Sequence, residues 1–452
     1  MRLAGVVFCL LLVAALLGGC GEGGGTGSSL DHQTASARPQ LATPSPEGAV
    51  AVGRSIKYEG WDALELSNQI VRLVCVPGIG GRLIEFSLDG ENAFWVNHEE
   101  LGKLYPPPTS EAERVWHNYG GSKTWPSPQD RWGGPPDPLG SLLDGGIHQG
   151  KLLRERGPVA SLEAVSPSDE AVTGVRFYRE AQLFAGEAHV RFIQRMENVS
   201  EAPVRWSIWD VTQVVAEEKP GKGPSGKCQL FVPAAADGKI FHMVGPEDGA
   251  QWLPEIAPGI IGVSYTGETG KIGVHSLAGW GAYHNGHTNL TYVKRFEVFP
   301  ELEYPEQNSS VEVWTNPAPP SLMELEVLSP LVDLRPGEDY TFTQDWYLTR
   351  SEAPIIDTNE AGVLVKRLAL EEKEGKLKVK GSYGVYRAAT WELTALDGDA
   401  KPLASAKGEC SPSKPFVLEA TLETAQSGVT KLVLRLLDAS GRAIGSLDEL
   451  NL

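Results

Sequence analysis

Two glutamates stand two residues apart in Leu322-Met323-Glu324-Leu325-Glu326-Val327-Leu328. Side chains alternate between the faces of a strand. Met323, Leu325 and Val327 therefore share one face, and Glu324 and Glu326 the other, about 7 Å apart. A carboxylate pair so placed is either a solvated face or a pair for acid–base work. Residues 290–298 set Lys294 on the same face as Leu290, Tyr292, Phe296 and Val298, and residues 204–210 set Asp210 with Trp206 and Ile208. A charge on an apolar face either snorkels to the rim or points into a pocket and meets a ligand there.

The densest unusual stretch is 116–138. It begins Trp116-His117-Asn118-Tyr119-Gly120-Gly121-Ser122-Lys123-Thr124-Trp125 and holds three of the chain's twelve tryptophans, the third being Trp132. Aromatic rings cover the apolar C–H face of a pyranose while polar groups take its hydroxyls. Asn118, Lys123 and Trp125 are thus candidate substrate-binding residues, together with Lys294 and Glu324. A purely structural loop, its tryptophans plugging a core edge, is the competing reading. The pair His284 and His287 encloses Asn285-Gly286, which favours a turn over a metal pair. No metal or cofactor is expected, and neither a GxSxG elbow nor a phosphate-binding glycine loop occurs.

These residues need strands to hold them. From 56 to 350 the chain alternates apolar-patterned runs with turn signals such as Asp89-Gly90, the dipeptide of tight hairpins. Two facing antiparallel sheets are the natural way to bury such strands. Residues 351–452 hold further short strands, enough for a small β-sandwich with no evident chemistry. The expected division is a supersandwich over 51–350 and a small sandwich over 351–452. Cys75, Cys228 and Cys410 show neither a zinc spacing nor a disulfide framework.

The first residues read as an export signal: Met1-Arg2, an apolar run to Leu17, then Leu17-Gly18-Gly19-Cys20. This resembles the lipobox of bacterial lipoproteins, which implies cleavage before Cys20 and acylation of its thiol. Residues 1–19 are then the signal peptide, and 20–50, rich in Gly, Ser, Thr and Pro, a lipidated flexible tether. The expected location is the cell envelope, lipid-anchored in the outer membrane or facing the periplasm. A net charge of −18 and a pI near 5.0 argue against nucleic acid as a partner.

Residues 60–350 resemble the galactose-mutarotase-like superfamily, closest to a bacterial branch of it with no assigned activity. The resemblance rests on Val76-Pro77 with Gly80-Gly81-Arg82-Leu83-Ile84, on Asn118-Tyr119-Gly120-Gly121 with Trp125-Pro126, and on Trp206-Ser207-Ile208-Trp209-Asp210. It is completed by Glu324-Leu325-Glu326-Val327 followed by Arg335-Pro336-Gly337-Glu338. It implies an all-β antiparallel supersandwich with a sugar on the concave face of one sheet. It also implies aldose 1-epimerase-like isomerase chemistry, in which a glutamate base and a histidine acid open the ring. Glu326 matches the glutamate best and Glu324 second, while only His148-Gln149-Gly150 is similar to a family histidine. Trp209-Asp210 stands at the other histidine's place, so Asp210 or Lys294 would have to substitute. Two classes follow: an epimerase-like enzyme with altered acid–base groups, or a non-catalytic glycan-binding or envelope scaffold lipoprotein. Lys123, Trp125, Asp210, Lys294 and Glu326 are expected to line one cavity.

Overall fold

Strict alternation of apolar and polar residues is clearest in the strand Val175–Phe184, where buried and half-buried residues alternate along all ten positions. The same pattern builds the whole chain. The computed structural model describes residues 48–105, 115–132, 141–219, 221–235, 237, 239–426 and 428–452. The expected signal peptide, Cys20 and nearly all of the tether lie outside the described residues, as does the 133–138 part of the tryptophan-rich stretch.

Among the described residues the strands pair antiparallel into a thirteen-stranded sheet, a ten-stranded sheet and two four-stranded sheets. The first two face each other. Along the thirteen-stranded sheet, neighbours run Gly270–Val274, Val311–Thr315, Leu322–Leu328, Val204–Val215, Ser122–Ser127 and Arg82–Leu88. The ten-stranded sheet is centred on Leu290–Phe296, Asp339–Arg350, His189–Asn198 and Val175–Phe184. Asp89 and Gly90 both take positive φ in the turn after Arg82–Leu88, the geometry a two-residue hairpin requires.

The core between the two large sheets is aromatic. Phe94 meets Tyr292 and Trp346 edge-on at centroid distances of 5.4 and 6.1 Å, and Phe192 packs on Trp346 at 4.6 Å. Polar ties cross it as well: Gln194 Nε2 donates to Thr124 Oγ1 at 2.6 Å. Strands between 357 and 451 form the two smaller sheets around a core of their own, including Leu377, Tyr383, Leu393 and Leu434. Tyr386 from this region stacks on Tyr347 at 4.0 Å, and Val363 and Val365 join Val293 and Trp280 in one apolar cluster. The outer face of the ten-stranded sheet around Trp280, Val293 and Tyr347 is thereby covered. The functional candidates lie instead on the outer face of the thirteen-stranded sheet.

Cys75, Cys228 and Cys410 are buried free thiols, and burial raises the pKa of each. Two glycine turns bring backbone against backbone beneath the site. Gly80 has φ +83°, and a Cβ there would sit 1.8 Å from the carbonyl oxygen of Asp144. Gly121, at φ +71°, would place a Cβ 2.4 Å from the carbonyl oxygen of Leu83. A side chain at Gly80 faces both the left-handed strain and a backbone that cannot yield. Gly80→Ala is therefore expected to destabilise the fold by about 2–4 kcal/mol, from strain of order 1–3 kcal/mol plus the overlap. Denaturant unfolding measures it; a change under about 0.5 kcal/mol would mean that the Asp144 segment is not held against this turn.

Candidate functional site

Cross-strand register brings the outer-face side chains together. Trp209 is opposite Trp125, and Val211 lies between Lys123 on one neighbouring strand and Glu326 on the other. Gln213 is opposite Glu324, Glu312 opposite Glu326, and Lys271 opposite Trp314, itself opposite Glu324. Directly opposed residues share a face. Lys123 and Glu326 are thus on one surface, two strand spacings or about 10 Å apart.

Lys271 organises one half. Its ammonium lies 2.8 Å from Glu312 Oε2 and 3.2 Å from Glu326 Oε2, and 4.4 Å from the centre of the Trp209 ring. Trp209 Nε1 also donates to Glu326 Oε2 at 2.7 Å. Among the described residues, Glu326 Oε1 is buried with no hydrogen-bond partner, and neither oxygen of Glu312 has one. The Lys271–Glu312 contact is close enough for an ion pair yet lacks hydrogen-bond alignment. Burial pushes the Glu326 carboxyl up to about 8, the charge of Glu312 adds to this, and Lys271 opposes it. Glu326 is therefore largely protonated at neutral pH. Its Oε2 already faces two donors, which leaves Oε1 to carry the proton. Burial disfavours the Lys271 ammonium, but Glu312 and Glu326 outweigh this and raise its pKa.

Lys123 anchors the other half. It is 2% exposed, with Nζ 3.3 Å from Glu324 Oε1 and 4.2 Å from the centre of the Trp125 ring. Gln213 Nε2 donates to the same Glu324 oxygen at 2.8 Å. Burial lowers the Lys123 pKa, and the charge of Glu324 works against that. Behind Lys123, Asp144 accepts from Trp125 Nε1 and Trp116 Nε1, both at 3.0 Å, and pairs with Arg82 Nη2 at 2.7 Å. Asp144 ends the short helix Ser141–Asp144, which sits against the Gly80 turn.

Of the residues expected to line one cavity, Lys123, Trp125 and Glu326 lie on this face, and Glu324 lies there with them. Other expectations are corrected. Asp210 and Lys294 do not line this surface. Asp210 lies between Trp209 and Val211 in the strand, so it projects to the opposite face, into the core between the sheets. There Lys294 Nζ sits 2.8 Å from Asp210 Oδ2 and donates to Leu325 O at 2.7 Å, and Ser122 Oγ donates to Asp210 Oδ1 at 3.1 Å. Both charged residues are fully buried, and burial lowers the Lys294 pKa against the pull of Asp210.

His148 packs against Gly81, with Nδ1 2.9 Å from Gly146 O. Burial drops its pKa to about 3, so it is neutral at ordinary pH and has no proton to offer as an imidazolium. Asn118 shapes a turn, its Oδ1 accepting from the Gly120 amide and its carbonyl from Asn97 Nδ2. Trp125 presents no open ring, since Lys123 covers its face and Trp132 and Trp209 meet it edge-on. Trp116, 37% exposed, is the accessible ring of the group.

Sequence reasoning missed Lys271, Glu312 and Asp144. Glu312 shows the same single acid between apolar residues, Val311-Glu312-Val313, as its neighbour strand. The alternation was therefore readable, and only the pairing of the strands was not. Nothing local marks Asp144. A groove of about 540 Å³ elsewhere on the same sheet is lined by Tyr58, Arg72 and Glu85 among others. Arg72 there is already paired, with Glu65 and Glu85 at 2.7 Å each.

A family model described as a domain of unknown function, DUF4380, matches residues 135–349. No curated protein matches the chain. Among solved structures, the chain is similar to the Slr1438 protein of Synechocystis sp. PCC 6803, at 14% identity, over 66% of this chain and 99% of that one, with a TM-score of 0.43. It is similar to a galactose mutarotase-like protein from Lactobacillus casei, at 10% identity over 63% and 99%, TM-score 0.43. A galactose mutarotase-like protein from Clostridium acetobutylicum gives 10% identity over 66% and 98%, TM-score 0.41. None of these likenesses assigns a role to a residue of this chain.

The raised Glu326 pKa has a consequence for stability. The folded state holds this proton up to about pH 8, whereas an unfolded glutamate releases it near 4.5. Between those values the native state binds more protons, so stability falls as pH rises. Wild-type thermal midpoints measured from pH 5 to 9 should decline more steeply than those of Glu326→Gln. Parallel curves would show that Glu326 is ionised throughout.

Proposed function

We propose that the outer face of the thirteen-stranded sheet binds a carbohydrate, and that Glu326 transfers a proton to or from it. One observation carries the reading: Glu326 has one oxygen held by Trp209 and Lys271 and the other free, on the same surface as Glu312, Glu324 and Lys123. A neutral carboxylic acid with a fixed orientation can protonate a ring or leaving oxygen, and its anion can accept a hydroxyl proton. A pKa near 8 makes both forms accessible at working pH. Lys271, bound to the same carboxyl, stabilises the anion once the proton has left. Lys123 and Glu324 offer a donor and an acceptor for hydroxyl groups, and Trp116 an exposed ring for a pyranose face. The reaction class these groups suit is opening and reclosing of a sugar ring, as in aldose 1-epimerisation. With His148 neutral, Glu326 itself is the acid of this scheme, giving its proton to the ring oxygen, and the Glu324 carboxylate on the same face takes the proton of the anomeric hydroxyl.

The test is ligand-observed NMR of the protein with free sugars, where saturation transfer reports binding and exchange between anomeric signals reports turnover. Glu326→Gln should abolish accelerated exchange, a loss of at least 100-fold, while leaving saturation transfer in place. Binding without exchange in the wild type would reduce the protein to a glycan-binding one. Absence of both would remove the reading.

We propose further that the folded body is displayed from a lipid on Cys20. The support is the arrangement Met1-Arg2, apolar run, Leu17-Gly18-Gly19-Cys20 and the polar stretch after it. Cells fed labelled palmitate should label the wild type and not Cys20→Ala, which should move from the detergent phase to the aqueous phase on partitioning. Equal partitioning of both would rule out the anchor.

A further inference from the structure

The unpartnered atoms on the residues around Lys271 and Gln213 are of one kind. Glu312 Oε1 and Gln213 Oε1 are acceptors, and Glu326 Oε1 becomes one when its proton leaves; all sit on residues at most 2% exposed, and none has a hydrogen-bond partner among the described residues. A buried acceptor left unpaired costs free energy, so what completes this surface must bring donors. The charges point the same way. Glu312, Glu324 and Glu326 face only Lys123 and Lys271, and both ammonium groups are already engaged. Glu306 adds a fourth carboxyl at the Lys271–Glu312 end. Burial raises its pKa, and Glu312 and Asp130 push in the same direction. Four carboxyls thus meet two ammonium groups, with no free cation among them, so a ligand's cation can take the place of the proton that Glu326 holds. An anionic ligand such as a uronate or a sugar phosphate would meet repulsion there.

Resting on the carbohydrate reading above, we propose that the ligand is an amino sugar with a free amine, a hexosamine unit whose ammonium sits between Glu312 and Glu326. Three N–H donors on one centre fit acceptors contributed by adjacent strands. The ammonium also supplies the charge that Lys271 alone, shared between two carboxylates, leaves uncompensated. An N-acetylated unit loses that charge and adds a carbonyl with no free donor to meet. A divalent cation would bring charge but would have to lie against the Lys271 ammonium, which makes it the poorer occupant.

The experiment is calorimetric titration of the full protein with glucosamine, galactosamine and mannosamine, with their parent hexoses, N-acetyl derivatives and uronates, and with calcium chloride. Hexosamines are expected to bind at least tenfold tighter than the parent hexoses and N-acetyl forms, with uronates not binding. Glu312→Gln should erase most of that preference. If Glu312→Gln does not fold, Glu306→Gln, in a half-buried loop position, should reduce the preference about threefold. Equal affinity for hexosamine and hexose, tighter binding of a uronate, or saturable calcium binding in place of any hexosamine overturns the proposal and leaves the carbohydrate reading standing in the first two cases. If no sugar of any class binds, the carbohydrate reading itself falls.

Discussion

The aromatic half of the outer face hangs on one buried ion pair. Arg82 is fully buried, and its guanidinium reaches both Asp144 and the carbonyl of Gly120, at 2.7 and 3.2 Å. Asp144 in turn holds the indole N–H groups of Trp116 and Trp125, and Trp125 carries Lys123 over its face. Three segments far apart in sequence are thus fixed by one carboxylate whose two oxygens accept three donors. Removing Arg82 would leave that carboxylate buried without its cation, a loss of about 3–5 kcal/mol. The geometry works only because Gly80 and Gly120-Gly121 let the backbones close to distances that no Cβ permits.

The charged half obeys a different constraint. A sheet face that buries Glu312 and Glu326 and half-buries Glu324 must supply donors or forfeit charge. Two lysines supply part of what is required, and each is pinned over a tryptophan: Lys271 on Trp209 and Lys123 on Trp125. The tryptophans therefore position cations, and this changes what their abundance means. Rings that looked like a stacking platform are spent on holding the ammonium groups that tune the carboxylates. What remains of the deficit is carried by Glu326 as a proton.

The all-β architecture was legible because apolar alternation and turn dipeptides such as Asp89-Gly90 are local signals. The facing of Glu324 and Glu326 was legible for the same reason, since strand parity needs no knowledge of the partner. Parity also told that Asp210 shares its face with Ile208, and Lys294 with Tyr292. It could not tell that this face is the inter-sheet core, because a lysine among apolar residues reads alike in a pocket and in a core. Lys271 and Glu312 stayed hidden behind strand order: they lie 55 and 14 residues before Glu326 and join it only through strand pairing. Asp144 stayed hidden because its partners, Arg82, Trp116 and Trp125, come from elements that no local pattern links.

Two lysine–carboxylate systems lie on the two faces of the same strands, and their hydrogen bonding separates them. On the inner face Asp210 is complete: Lys294 takes one oxygen and Ser122 the other, and Lys294 finds a further acceptor in Leu325 O. A satisfied pair in a sealed core has nothing left to offer a ligand, and its role is to tie the sheets together. On the outer face the bonding is left unfinished, with free oxygens on Glu312, Glu326 and Gln213 and a proton retained where a charge would otherwise stand. Folding alone favours closing such gaps, as the Asp210–Lys294 pair shows with the same residue types. An unfinished set of acceptors on a rigid sheet, held by cations that are themselves fixed, marks the place where this surface is completed by something other than the chain.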